Sequence, residues 1–247
     1  MHRFHTPHLD RDEPLSDDSV TLDADQARHA HTVLRLRVGD RVEMFDGCGR
    51  VGVAVIEQWA IGAQQPAILR LTSVRTVPPP ATTIDAACAI PKGPRGAAMA
   101  AALSQVGADR LVPLRCRRAA VDPGRINRGR FEKAAIESAR QCGRAHLLKV
   151  DPPATIDELI RQSYDVRLLG TPTADPHVAS GALAEQLRGA ARVLILIGPE
   201  GGWTDQEQAA AVAGGCTPWS FGTHVMRIET ACAAAVAIVR YLSSTRE

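Results

Sequence analysis

Residues 193–234 read VLILIGPEGGWTDQEQAAAVAGGCTPWSFGTHVMRIETACAA, and this stretch decides the fold. Its first five residues, Val193 to Ile197, are all apolar, the pattern of a strand buried on both faces of a parallel sheet. Gly198-Pro-Glu-Gly-Gly202 predicts a turn in which little side chain stands between the backbone and a bound molecule. Thr204-Asp-Gln-Glu207 has capping-box spacing and predicts the start of a helix. A short strand is expected at Trp219 to Phe221, then a polar segment from Phe221 to Thr230, then an alanine-rich helix, Ala231 to Leu242. Two such loops, close in sequence, can line one pocket, since ligands gather at the carboxyl ends of parallel strands.

Upstream, Val166 to Gly170 reads as another strand, whose end at Gly170-Thr171-Pro172 is expected beside Gly198. Thr83 to Ile90 reads as a buried strand, and Pro91-Lys-Gly-Pro-Arg-Gly96 after it opens a helix over Ala97 to Val106. Lys92 and Arg95 could hold phosphate there, yet no G-x-x-x-x-G-K-[ST] is present, which argues against a nucleotide P-loop. The lack of a G-x-G-x-x-G after any strand disfavours a dinucleotide-binding oxidoreductase. Leu111 to Leu114 is the next strand and Phe131 to Cys142 the next helix. Val77-Pro-Pro-Pro80 is a stiff, non-helical spacer and marks a domain boundary. Before it the pattern is β-rich. A short helix and turn are expected over Ala27 to Gly39, with strands at Arg41 to Phe45, Val51 to Gln58 and Ala67 to Val74, and a hairpin at Asp46-Gly47.

The chain has 247 residues, 45% of them apolar, enough to supply a core for one large or two modest domains. A net charge of only +2 hides an asymmetry, because residues 115–149 carry ten Arg and Lys against three Asp and Glu. A phosphate backbone would seek such a patch, although a solvated face would carry the same charges. The excess of arginine over lysine, 26 to 3, is weak evidence for RNA, since abundant alanine points to genome composition. The six cysteines contain no C-x-x-C pair, so neither a zinc site nor a disulfide framework is expected, and a reducing cytoplasm fits. His2, His5 and His8 share a three-residue spacing, but no acidic or cysteine partner lies in register and an ordinary strand or arm is expected. No signal peptide is visible at MHRFHTPHLD, and the longest apolar run, nine residues from Ala231 to Val239, is too short to span a bilayer. A soluble cytoplasmic protein with no membrane partner and no metal is the expectation.

Gly198-Pro-Glu-Gly-Gly202, Phe221-Gly222 and Met226-Arg-Ile-Glu-Thr-Ala231 together resemble the cofactor-binding signature of the SPOUT methyltransferases. More narrowly they resemble the RsmE family, which methylates uridine N3 in 16S ribosomal RNA. His31 to Asp40 and Phe45-Asp-Gly-Cys-Gly49 are similar to that family's PUA-like N-terminal domain. Lys92-Gly93, Gly107, Val112-Pro113, Arg118 and Gln141-Cys-Gly-Arg144 also match its pattern. The resemblance implies a PUA-like β-barrel over residues 1–76. Over residues 77–247 it implies an α/β SPOUT domain with a C-terminal trefoil knot, which pattern reasoning alone would never propose. It implies S-adenosylmethionine (SAM) as cofactor and a homodimer acting on 16S RNA within the 30S subunit or its late precursor. The cofactor residues are then Leu169, Gly170, Ile197, Gly198, Pro199, Glu200, Gly201, Phe221, Gly222, Val225, Met226 and Thr230. Arg28, Arg35, Lys92, Arg95, Arg118 and Arg144 are the RNA candidates, with His29 and Arg37 beside the first two. Two departures, Ala101-Ala102 in the helix after Gly96 and Arg140 before Gln141, fall away from the cofactor loops and bear on the RNA target.

Methylation at uracil N3 needs a weakly acidic imide proton removed and the resulting charge on O2 and O4 stabilised, a task suited to a guanidinium. Arg227 is the candidate, with Glu229 to orient it, accept the proton or contact the cofactor; His224 is an alternative base. Two other classes remain open: a SPOUT enzyme acting on transfer RNA or a ribose 2′-hydroxyl, and a non-catalytic RNA-binding assembly factor. Intact Glu200, Arg227, Glu229 and Thr230 argue against the latter.

Overall fold

The computed structural model describes residues 1–7, 9, 19–59, 67–172 and 180–244. The chain divides into two units, Met1–Pro79 with Ala139–Leu147, and Pro80–Ser138 with Leu148–Glu247. In the first, strands β1 (Arg3–His5), β2 (Ser19–Leu22), β3 (Arg41–Phe45), β4 (Arg50–Gln58) and β5 (Ala67–Thr76) form one sheet in the order β1-β3-β4-β5-β2. All pairs are antiparallel except β1 with β3. Their inward residues, among them Phe4, Leu22, Val42, Met44, Ile56 and Leu69, make the core. The β3–β4 hairpin turns where Asp46 Oδ1 accepts from the N–H groups of Cys48 at 2.7 Å and Arg50 at 3.0 Å, with Gly47 and Gly49 at positive φ.

Helix α1 (Ala24–Arg28) runs on into a π-helical turn, His29–Val33. It starts three residues before the expected Ala27, because the Asp23 side chain caps it by accepting from the Gln26 N–H at 2.8 Å. Ala139 and Ala145, from the segment that joins this unit late in the chain, pack on Phe45 and Val51. Arg3 donates to the carbonyls of Ala139 and Arg144, both at 2.8 Å. Arg140 donates to the carbonyl of Arg3 at 2.8 Å and lies over the Phe4 ring. This departure from the resembled pattern is therefore spent on packing. The His5 ring lies tilted against Phe45, with ring centroids 5.3 Å apart, and His8 lies outside the described residues. Among the described residues no group of His, Cys, Asp and Glu is arranged to hold a metal, and no helix is long and apolar enough to cross a membrane.

The second unit is a six-stranded, wholly parallel sheet. Its strands are β6 (Thr83–Cys88), β7 (Arg110–Pro113), β8 (Lys149–Val150), β9 (Val166–Gly170), β10 (Arg192–Ile197) and β11 (Thr217–Trp219), in the order β11-β9-β10-β6-β7-β8. Helices α2 (Arg95–Val106), α3 (Arg128–Cys142), α5 (Ser180–Leu187) and α7 (Ile228–Ser244) contribute to the core on one face. The other face is covered by α4 (Ile156–Ile160) and α6 (Asp205–Ala213). β10 explains the arrangement: Val193, Ile195 and Ile197 enter the first core, Leu194 and Leu196 the second. An unbroken apolar run is what a strand covered on both faces requires.

Two of the boundaries that differ from expectation shape the site. β11 ends at Trp219 because Thr217 to Trp219 pair with Leu168 to Gly170, and Phe221 instead lays its ring 4.3 Å from that of Trp219. α7 begins at Ile228 rather than Ala231, because the carbonyl of Arg227 accepts from the Ala231 N–H at 2.8 Å. Glu229 and Thr230 thus stand on the first helical turn.

At the amino end of the sheet Asp85, fully buried, accepts at Oδ2 from Arg110 at 2.8 Å, Arg192 at 2.8 Å and the Tyr164 hydroxyl at 2.9 Å. Burial first, then the neighbouring carboxylate, pushes the Tyr164 phenol well above its ordinary value. A buried carboxylate shared by two arginines is costly to break from either side. Asp85→Asn should lower the unfolding free energy by about 2–3 kcal/mol, less than a wholly buried pair because both arginines reach solvent. Tyr164→Phe should cost about 1 kcal/mol. Denaturant unfolding followed through Trp203 and Trp219 checks both, and a wild-type midpoint for Asp85→Asn would remove the cluster from the stability account.

Candidate functional site

The carboxyl ends of β9, β10 and β11 are in register at Gly170, Ile197 and Trp219, so the three following loops leave the sheet side by side. They enclose a cavity of about 500 Å³, a size ordinary for small-molecule sites. One wall is Trp203, whose indole N–H donates to the Gly170 carbonyl at 2.9 Å. That placement depends on Gly198, where a Cβ would stand 2.8 Å from the Trp203 ring. At Gly170 a Cβ would meet Ile197 Cδ1 at 2.6 Å. The far wall is the segment Ser220 to Met226, which turns at Gly222 with φ +111°.

Thr204 ends the first loop by capping α6. Its hydroxyl accepts from the Glu207 N–H at 3.2 Å while Glu207 Oε2 accepts from the Thr204 N–H at 2.9 Å. Burial alone would raise the Glu207 carboxyl. Hydrogen bonds from the backbone of Arg117 and from the backbone and hydroxyl of Thr204 outweigh it and hold the group below the usual carboxylate value. Glu207 therefore also pins the loop after β7. From that loop Arg118 donates to the carbonyls of Gly201 at 3.2 Å and Trp203 at 3.1 Å, and so braces the Gly-Pro-Glu-Gly-Gly turn from behind.

Of the residues expected to meet a cofactor, Gly170, Ile197, Gly198, Pro199, Glu200, Phe221, Gly222, Val225 and Met226 line the cavity. Leu169 is fully buried beneath it, facing the core of the α4 and α6 side. Gly201 backs onto Arg118, and Thr230 is exposed on α7. Thr171, in the turn expected beside Gly198, lines the cavity, and so do Trp203, Asp205 and Trp219. Sequence reading missed the last three because nothing in a single residue's identity tells which side of a loop its side chain takes. The charged side chains among the described lining residues are Glu200 and Asp205, with no lysine or arginine.

Arg227 and Glu229, read together in the sequence, are not brought together. Arg227 is exposed, with no side-chain hydrogen bond or ion pair among the described residues. Glu229 instead has Oε1 3.5 Å from Arg95, and Arg95 reaches Glu200 at 3.4 Å. The second carboxylate oxygen of Glu229 is buried without a hydrogen-bond partner. Among the RNA candidates, Arg28 is exposed beside Asp25 at 2.8 Å, Arg35 is exposed with a left-handed φ of 56°, and Lys92 is exposed. Arg144 donates to the His146 carbonyl. A second groove, of about 610 Å³, runs beside the loop after β7 and is lined by Arg115, Arg117, Asp122, Asp157 and Glu207 among others. Cys116 also lines it, but burial pushes its thiol up to about 12, so it offers no thiolate nucleophile.

Residues 78–240 match the family described as RNA methyltransferase domain, and residues 22–58 match the RNA methyltransferase PUA domain. Ribosomal RNA small subunit methyltransferase E of Synechocystis is 30% identical over 93% of this chain and 75% of its own length. The protein of the same name from Mycobacterium tuberculosis is 29% identical over 91% of this chain and 87% of its own. A crystal structure of the Neisseria gonorrhoeae ribosomal RNA small subunit methyltransferase E, bound to S-adenosyl methionine, superposes with a TM-score of 0.81 at 24% identity over 98% of each chain, which establishes the shared fold. The chain belongs to the ribosomal RNA small subunit methyltransferase E family of RNA methyltransferases.

Proposed function

We propose that this chain methylates N3 of a uridine in 16S ribosomal RNA, within the 30S subunit or its late precursor, using SAM and working in the cytoplasm as a homodimer. The observation that carries the reading is the cavity at the ends of β9, β10 and β11. It has the volume of a cofactor site, glycines at 170 and 198 that leave room only for their neighbours, and carboxylates as its charged lining. A phosphate-rich nucleotide would be repelled by that lining, whereas SAM is a cation. Glu200, Phe221, Gly222 and Met226 with the backbone of Gly170 and Gly198 would hold it. When bound, SAM supplies an electrophilic methyl group on a positively charged sulfur.

The chain's own residues do the rest. Arg227, at the start of α7 with its carbonyl held by the Ala231 N–H, presents a guanidinium to the charge that develops on the uracil oxygens. Thr230 and Glu229, on the same first turn, fix where that start lies. Glu229, the acid on that turn, accepts the N3 proton directly or through water. Exposed Arg28 and Arg35 in the first unit and Lys92 in the second meet RNA phosphates. Arg118, on the loop after β7, braces the turn at Gly201, with Arg95 beside that turn, and Arg144 is partly exposed in the first unit; these three complete the RNA candidates. For the homodimer, the support is the outer face of α7, where Ala237, Ile238 and Tyr241 are exposed in a row at helical spacing.

Three outcomes follow. Gly198→Val must displace the Trp203 ring; such overpacking costs about 1–3 kcal/mol, and SAM affinity measured by calorimetry should fall roughly tenfold to a hundredfold. Wild-type affinity there would place the cofactor elsewhere. Arg227→Ala should slow single-turnover methylation about 10²- to 10³-fold with SAM affinity nearly unchanged, and lysine should rescue it only in part because a point charge lacks the guanidinium fork. Lost SAM binding with the rate retained at saturating cofactor would make Arg227 a cofactor residue instead. Ile238→Glu should convert the protein from dimer to monomer in sedimentation, and a dimer that survives both this change and Tyr241→Glu would move the interface off α7.

A further inference from the structure

Arg95 is the first residue of α2, directly after the β6 loop, and it stands between Glu200 of the turn after β10, at 3.4 Å, and Glu229 on the first turn of α7, at 3.5 Å. Two carboxylates sharing one guanidinium leave a cluster of net charge −1. Glu200 also lines the cavity, together with Asp205 and with no cation among the described lining residues. Both contacts of Arg95 are longer than a well-formed charged hydrogen bond, and the Glu200 side chain keeps 44% of its surface. Glu200 is therefore only partly neutralised, and its field reaches into the cavity.

That matters because of what methyl transfer does to the cofactor. SAM carries a sulfonium, an ammonium and a carboxylate, a net charge of +1. Loss of the methyl cation leaves S-adenosylhomocysteine, a thioether of net charge zero and nearly the same shape. A pocket that recognised shape alone would hold product as well as cofactor. We infer that Glu200 is the residue through which this cavity tells the cationic cofactor from its neutral thioether product, and that Arg95 sets the strength of that field. Glu200 is itself part of the lining, and charges closer than the Debye length, about 8–10 Å at physiological salt, are only partly screened. The interaction is therefore attenuated without being abolished. The inference rests on the reading of the cavity as a SAM site.

Arg95 gives the idea an unusual test, since a charge mechanism requires opposite signs at neighbouring residues. Affinities of SAM and S-adenosylhomocysteine for the full-length protein, without RNA, can be read from calorimetry and from quenching of Trp203 and Trp219, both in the cavity wall. Glu200→Gln should weaken SAM on the order of three- to tenfold and leave the thioether within about twofold, which also shows that the fold is intact. Arg95→Gln should change the preference the other way, raising SAM relative to the thioether. High salt should shrink the wild-type preference toward unity. Equal weakening of both ligands by Glu200→Gln, or a preference that falls in both variants, would mean that the cluster is structural and would overturn the inference while leaving the cofactor site standing. A wild-type protein that binds neither ligand would overturn the cofactor reading and this inference together.

Discussion

The hydrogen bond from the Trp203 indole to the Gly170 carbonyl is the contact on which the site depends. It ties the loop after β10 to the end of β9, and it can form only because residue 198 has no Cβ where the ring lies. From it the rest follows in sequence. With Trp203 fixed, Thr204 is placed to cap α6, Glu207 closes the capping box and holds the backbone of Arg117, and Arg118 reaches back to the carbonyls of Gly201 and Trp203. A loop made largely of glycine would otherwise be the most mobile part of the sheet edge. Here an aromatic wall and an arginine brace offset that freedom from opposite sides.

Charges of the two signs are kept on separate parts of the chain. The loop after β7 and the first unit carry exposed arginines, while the described cavity lining carries Glu200 and Asp205 and no cation. An RNA methyltransferase has two ligands of opposite charge, a polyanion and a cationic methyl donor, and mixing the two kinds of surface would weaken both. Arg95 sits against the cavity acid Glu200. Its sequence position invites a phosphate contact, yet its guanidinium is directed at Glu200 and Glu229.

Much of the sheet was legible in advance because its causes are local. The apolar run at Val193 to Ile197, the capping box at Thr204 and the Asp46-Gly47 hairpin each state their structure within a few residues. The turns at Gly198 and Gly222 were readable for the same reason, and both line the cavity. What was not legible depends on partners far apart in the chain. Asp85 meets Tyr164, 79 residues later, and Arg95 meets Glu229, 134 residues later. No spacing rule links such pairs, and the proximity of Arg227 to Glu229 in sequence suggested a partnership that the first turn of α7 does not make. Ala139 falls at the end of the expected Phe131 to Cys142 helix and Ala145 just beyond it, yet they complete the core of the first unit against Phe45 and Val51.

The chemistry proposed for the site is methylation of a uracil base at N3 in the small subunit's RNA. The most direct measurement incubates the purified protein with SAM and small ribosomal subunits that lack the modification, digests the RNA to nucleosides and separates them by chromatography with mass detection. The account predicts 3-methyluridine, from 16S RNA and in an amount approaching one per subunit. A ribose-methylated nucleoside, or methylation of transfer RNA with none in the small subunit, would contradict it.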